Sequence, residues 1–124
     1  MKLNIFLDKK ELLTTNEEKE IADISKGNLY DQLSEEEKEK IYEDEESFLG
    51  GVYVETTIKN GDKNPIIFNY YKITKTPTII FSNEDEVIYR WENVPTLSEI
   101  TKSMVSYFRI LKLNSLDYNY DPEE

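Results

Sequence analysis

The 124 residues contain no cysteine and no histidine, and these two absences remove more chemistry than any other feature. They rule out a disulfide, a thiol nucleophile, a Cys/His zinc site and an imidazole acid–base pair. Only a carboxylate site for magnesium or calcium stays chemically open. No Gly-rich phosphate loop or nucleophile motif occurs, and nothing points to a cofactor. Positive charge is also short: 15 basic residues face 26 acidic ones, for a net charge of −11. A duplex repels such a surface, which argues against direct nucleic-acid binding. No stretch approaches the roughly 20 apolar residues of a membrane span. The opening Met1–Asp8 run is too short for the apolar region of a signal peptide. It reads as a first strand, and the protein as cytoplasmic.

The hydrophobic share is low at 38%, but aromatics reach 12%, with nine tyrosines and five phenylalanines. Large rings bury enough area each to build a modest core in a single domain. Richness in Lys, Asn, Ile, Glu and Tyr fits a low-GC genome such as that of a phage or a Gram-positive host. The acidity is uneven. Glu17–Glu46 holds 13 acidic residues against 4 basic ones, and Asp117, Asp121, Glu123 and Glu124 add four more near the end. What remains is close to neutral, with 11 basic and 9 acidic residues.

Leu3–Leu7 is an apolar run broken only by Asn4, the pattern of a buried strand. Asp8–Leu13 connects it to a first helix, opened by a capping box at Thr15-Asn16-Glu17-Glu18 and ended near Gly27. Ser34-Glu35-Glu36-Glu37 is a second box, predicting one helix to about Phe48, with Gly50-Gly51 as the stop. Val52–Ile58 alternates as a strand. Asn60-Gly61-Asp62 then reads as a turn, and Asn64-Pro65 as the start of a short helix reaching Tyr71. Thr78–Phe81 and Glu86–Trp91 form a hairpin, with Val87, Tyr89 and Trp91 on one face and Ile88 and Arg90 on the other. A third box at Thr96–Glu99 opens the last helix. There Leu97, Ile100, Met104, Phe108 and Leu111 recur at three- and four-residue steps. The domain is expected to span 1–113, with an insertion over about 14–49 and a flexible acidic tail over 114–124.

The order strand, helices, strand, helix, strand, strand, helix, with Asn64-Pro65, Tyr71-Lys72-Ile73 and Thr76-Pro77-Thr78 followed by an apolar strand, resembles the thioredoxin family over about Val52–Leu111. The resemblance implies an α/β fold with a central mixed four-stranded sheet flanked by helices, here carrying an acidic helical insertion in the N-terminal half. It also implies a cis peptide at Thr76–Pro77 and a loop there that pairs with an extended peptide. The family's Cys-x-x-Cys would fall at about Asp8–Leu13, which offers neither thiol nor hydroxyl. Dithiol chemistry is thereby excluded.

Two functional readings follow, and both give the protein an unidentified protein partner rather than an enzymatic role. In the first it binds another protein, as an accessory or inhibitory factor, through a surface bordered by Lys10, Lys75, Thr76, Pro77, Trp91 and Asn93. Against this, Pro77 can simply shape a turn and Trp91 simply pack on the last helix. In the second, the acidic helix is a nucleic-acid-mimicking decoy for a basic groove. Its carboxylates are Glu35, Glu36, Glu37, Glu39, Glu43, Asp44, Glu45 and Glu46, spread over about 18 Å of helix. That density is near one charge per roughly 3 Å, as along a single nucleic-acid strand. A solvated helix with Glu36–Lys40-type pairs has the same composition. Asp44, Glu45 and Glu46 also fail to form an acid–base or metal cluster, since adjacent helix positions diverge.

Overall fold

In the computed structural model, which describes residues 1–60 and 65–119, the first apolar run becomes the central strand of a four-stranded sheet. β1 (Lys2–Asp8) pairs parallel with β2 (Tyr53–Lys59) and antiparallel with β3 (Thr78–Asn83). β3 in turn pairs antiparallel with β4 (Glu86–Trp91), giving the order β2-β1-β3-β4. A strand with neighbours on both edges and layers on both faces has no wet side, and Leu3, Ile5 and Phe6 are fully buried. The reading of the strands from the sequence holds to within one residue, except that β3 runs two residues further, to Asn83.

The pleat sorts β1 between two cores. Leu3 and Ile5 join Ile79 and Phe81 on the face covered by α1 (Thr15–Ser25), α3 (Glu43–Gly50) and α5 (Leu97–Asn119), which supply Ile21, Ile24, Leu49, Ile100 and Met104. Phe6 and Ile80 face the other way, onto Phe68 of the short α4 (Pro65–Tyr70). Phe6 meets Phe68 edge-on at 5.5 Å between centroids and Tyr71 at the same distance. Burying such rings stabilises by about 2 kcal/mol each.

Four local expectations are corrected. The first capping box is centred on Thr14, whose hydroxyl accepts from the Glu17 N–H while Glu17 accepts from the Thr14 N–H. Thr14–Glu17 and Thr15–Glu18 are equally good boxes by sequence. The earlier frame places Leu13 just ahead of the cap, where it packs on the main core.

The helix expected over Ser34–Phe48 is two helices, α2 (Glu35–Glu39) and α3. Ser34 opens α2 as its box predicts. The chain then turns through Lys40–Tyr42, packing Ile41 against the main core. Tyr42 begins α3, with its own N–H donated to the Glu45 carboxylate at 3.0 Å. Tyrosine is not a side-chain capping residue, and the acidic first turn that marks this start, Glu43–Glu46, merges with the acids before it.

On β4 a bulge beside Phe81/Ser82 leaves Ile88 between the partners of those two residues. Val87 therefore sits opposite Ser82, off the face that carries Tyr89 and Trp91, and it is exposed. Finally, α5 starts at the Thr96–Glu99 box and continues to Asn119, past the expected end near Leu113. The expected Asn60-Gly61-Asp62 turn and Asn64 cap lie largely outside the described residues, as does the end of the tail. No helix among the described residues is long and apolar enough to cross a membrane.

Candidate functional site

The sheet topology brings three chain segments to one end of the molecule. β1 and β2 run parallel and finish there, at Asp8 and Lys59, while antiparallel β3 begins there, at Thr78. The loop after β1 is folded on itself and tied to β2. The Asp8 carboxylate accepts from the Lys10 N–H at 3.0 Å, the Asp8 carbonyl from the Glu11 N–H at 3.1 Å, and the Lys59 carbonyl from the Lys9 N–H at 3.0 Å. Glu11 reaches across to accept a hydrogen bond from the Thr76 hydroxyl. The Thr78 hydroxyl closes the other turn by donating to the Lys75 carbonyl at 2.7 Å.

Between these loops lies a depression of about 380 Å³. Lys10, Glu11, Lys59, Lys75 and Thr76 line it, together with the apolar Phe68 and Ile73. The Lys59 ammonium stands over the Phe68 ring, 5.8 Å from its centroid. The Thr76–Pro77 peptide is cis, and Pro77 is buried. Among the described residues neither the N–H nor the carbonyl of Thr76 has a hydrogen-bond partner. An extended chain laid beside Thr76 would find there one donor and one acceptor without an internal partner.

Of the surface residues singled out by sequence, Lys10, Lys75 and Thr76 converge here, while Pro77, next to Thr76 in the chain, is buried and does not line the depression. Trp91 and Asn93 do not line the depression. Trp91 sits opposite Ile79 in the hairpin, stacks on Tyr89 at 5.7 Å and packs against the main core on the other face of the sheet. Asn93 is exposed between β4 and α5. Glu11, Lys59 and Phe68 belong to the site without having been anticipated. They come from three distant segments, and no local pattern marks them.

The acidic residues do not form one continuous rail. Glu45 is 2% exposed and accepts from Arg109 Nε at 2.5 Å and Nη2 at 3.0 Å. The Arg109 guanidinium and the Tyr42 N–H hold the Glu45 carboxyl below its ordinary range against the opposing effect of burial, and Arg109 is raised in return. Asp44 is lowered by Lys112, 2.6 Å away. Glu37 is lowered by the Ser98 hydroxyl at 2.6 Å and then by Ser34. Glu35 pairs with Lys38 at 3.6 Å. Glu36, Glu39, Glu43 and Glu46 stay exposed with no ion pair among the described residues. Half of the eight carboxylates thus have a partner within the protein.

No protein-family model and no curated protein matches the chain. Among solved structures it is similar to thioredoxin 1 from the thermophilic eubacterium Thermosipho africanus TCF52B. The two share 17% sequence identity and a TM-score of 0.53, over 90% of this chain and 99% of that one. The chain has a thioredoxin-like fold, with a mixed four-stranded sheet flanked by helices and no cysteine to carry out dithiol exchange.

Proposed function

We propose that this is a redox-inactive thioredoxin-like protein that works by binding an extended segment of another protein at the Pro77 loop. One observation carries the reading: among the described residues the Thr76 N–H and carbonyl lie unpaired at the rim of a depression that Lys10, Lys75 and Glu11 border. Unpaired backbone groups beside an ordered strand are what a pairing peptide engages, and the flanking pocket reads its side chains. The site holds cations, a hydroxyl already bonded to Glu11, and no thiol. Fold analogy alone is a weak warrant; the Thr76 backbone and the pocket beside it add support from this chain's own residues.

The acidic-decoy alternative draws less support. A mimic of a nucleic-acid strand needs an unbroken row of outward charges, whereas here the row bends at Lys40–Tyr42 and Glu45 points inward.

The test is selection of random peptides displayed on a carrier against the intact protein, followed by amide chemical-shift mapping with the peptides recovered. Shifts concentrated in residues 8–13 and 73–78 are expected. Recovery of no binding peptide, or shifts confined to α2 and α3, would overturn the docking proposal.

A further inference from the structure

The charges around the depression are arranged in a way the protein's overall charge does not suggest. Lys9, Lys10, Lys59 and Lys75 gather at this end of the sheet, where the described carboxylates beside them are Asp8 and Glu11. Both carboxylates accept local hydrogen bonds, Asp8 from the Lys10 N–H and Glu11 from the Thr76 hydroxyl, and they keep their charge, so four lysines stand against two acids. None of the four lysines forms an ion pair among the described residues. The pairs that do form use Lys2, Lys26, Lys38, Arg90, Arg109 and Lys112. In a chain with 26 acidic side chains, three cations lining one pocket and Lys9 close by, with no ion pair among the described residues, make a local positive field within a negative molecule. A field of this kind selects and orients an oppositely charged partner.

Two apolar features narrow the ligand further. Phe68 and Ile73 line the depression, and Leu12, in the loop that borders it, is 97% exposed. An exposed leucine beside a cationic pocket fits a partner with an apolar side chain flanked by acids.

Resting on the docking reading, we infer that the segment bound at the Pro77 loop is an acidic extended peptide in which Asp or Glu residues flank an apolar one. Its backbone pairs with Thr76, its carboxylates meet Lys10, Lys59 and Lys75, and its apolar side chain contacts Phe68 and Ile73. The net charge of −11 favours such a short segment over nucleic acid, whose extended phosphate row would meet the acidic remainder of the surface.

The experiment is fluorescence anisotropy with a labelled Glu-Asp-Leu-Glu-Asp heptapeptide flanked by glycines. Its probes for comparison are the Gln-Asn-Leu-Gln-Asn counterpart and a labelled oligothymidine. The acidic peptide is expected to bind at least about tenfold more tightly than the neutral one. Its affinity should fall severalfold between 50 and 300 mM salt, as the screening length shortens. The double variant Lys10→Glu/Lys75→Glu should weaken acidic-peptide binding by about tenfold or more, and by a larger factor than it changes binding of the neutral peptide. Urea unfolding would confirm that this variant is folded. Equal binding of both peptides, with no effect of the variant, would overturn the acidic preference while leaving docking intact. Failure of both peptides, alongside failed peptide selection, would remove the docking reading and this inference with it. Tighter binding of oligothymidine would overturn the inference in favour of a nucleic-acid ligand.

Discussion

Glu45 and Arg109 lock α3 onto α5 through a two-pronged contact, Nε to one carboxylate oxygen at 2.5 Å and Nη2 to the other at 3.0 Å. The same carboxylate caps α3 by accepting from Tyr42 N–H. One side chain therefore fixes where a helix starts and what it packs against. Arg109→Met would keep much of the stem's packing and strand a carboxylate that is 2% exposed. Because Arg109 itself is half exposed, water screens part of the loss. The expected destabilisation is about 1–3 kcal/mol, read as a lower urea midpoint at pH 7 with an unchanged slope. Arg109→Lys should lose less.

Acid should unfold the protein through these same carboxylates. Glu45, Asp44 and Glu37 are all held below their ordinary values, by Arg109, Lys112 and Ser98 respectively. A depressed folded-state pKa gives stability that is complete above the unfolded-state value, about 4 for carboxylates, and lost as pH falls through the folded value. With no histidine in the chain, no side chain of ordinary pKa titrates between about pH 5 and 8. Melting temperature should therefore be nearly level from pH 6 to 7.5 and drop below about pH 4.5. Replacing Ser98 with alanine should flatten the acid limb, and an unaltered limb would show that Glu37 plays no part in it.

The sheet and most helix starts were legible because they follow from side-chain periodicity and from reciprocal caps such as Ser34 with Glu37 and Thr96 with Glu99. The break at Lys40–Tyr42 was not. Its cap is made by a carboxylate that the sequence shows only as one more acid among eight, and its turn packs Ile41 on the core. The faces of β4 were misread for a related reason. A bulge at Ile88 is set by pairing with β3, which a single strand's alternation does not encode. At the candidate site, Lys10, Lys75 and Thr76 could be placed through a resemblance. Glu11, Lys59 and Phe68 could not, since their meeting depends on where three strand ends fall.

Phe68 couples the smaller core to the depression. It is the one residue of α4 that is buried, it meets Phe6 at 5.5 Å, and its ring lies under the Lys59 ammonium. Phe68→Ala should cost about 3 kcal/mol or more from lost burial and the cavity left behind. Phe68→Leu should recover most of that stability while removing the aromatic face beneath Lys59. If the pocket uses this ring to position Lys59, the leucine variant will still bind the acidic peptide more weakly at nearly native stability. Equal affinity in that variant would show that Lys59 needs no aromatic support.

Arg90 offers the sharpest test of how the approach to the site is held. From β4 it donates Nη1 to the Tyr71 carbonyl at 2.5 Å and Nη2 to the Lys72 carbonyl at 2.9 Å, while Nε meets Glu92 at 3.2 Å. These carbonyls belong to the two residues that follow α4, at the turn where Lys72 itself takes a φ of +53°. Carbonyls of a turn leaving a helix gain from a cationic donor that pairs with them. Arg90→Ala leaves both unpaired and frees the stretch leading to Thr76. Because the contact lies far from the main core, the change should be local. Amide hydrogen exchange over residues 68–76 should speed up by about tenfold, equivalent to roughly 1.4 kcal/mol of local opening, with β1 and α5 unaffected. Faster exchange throughout the sheet would instead make Arg90 part of the global fold rather than a local clamp on this loop.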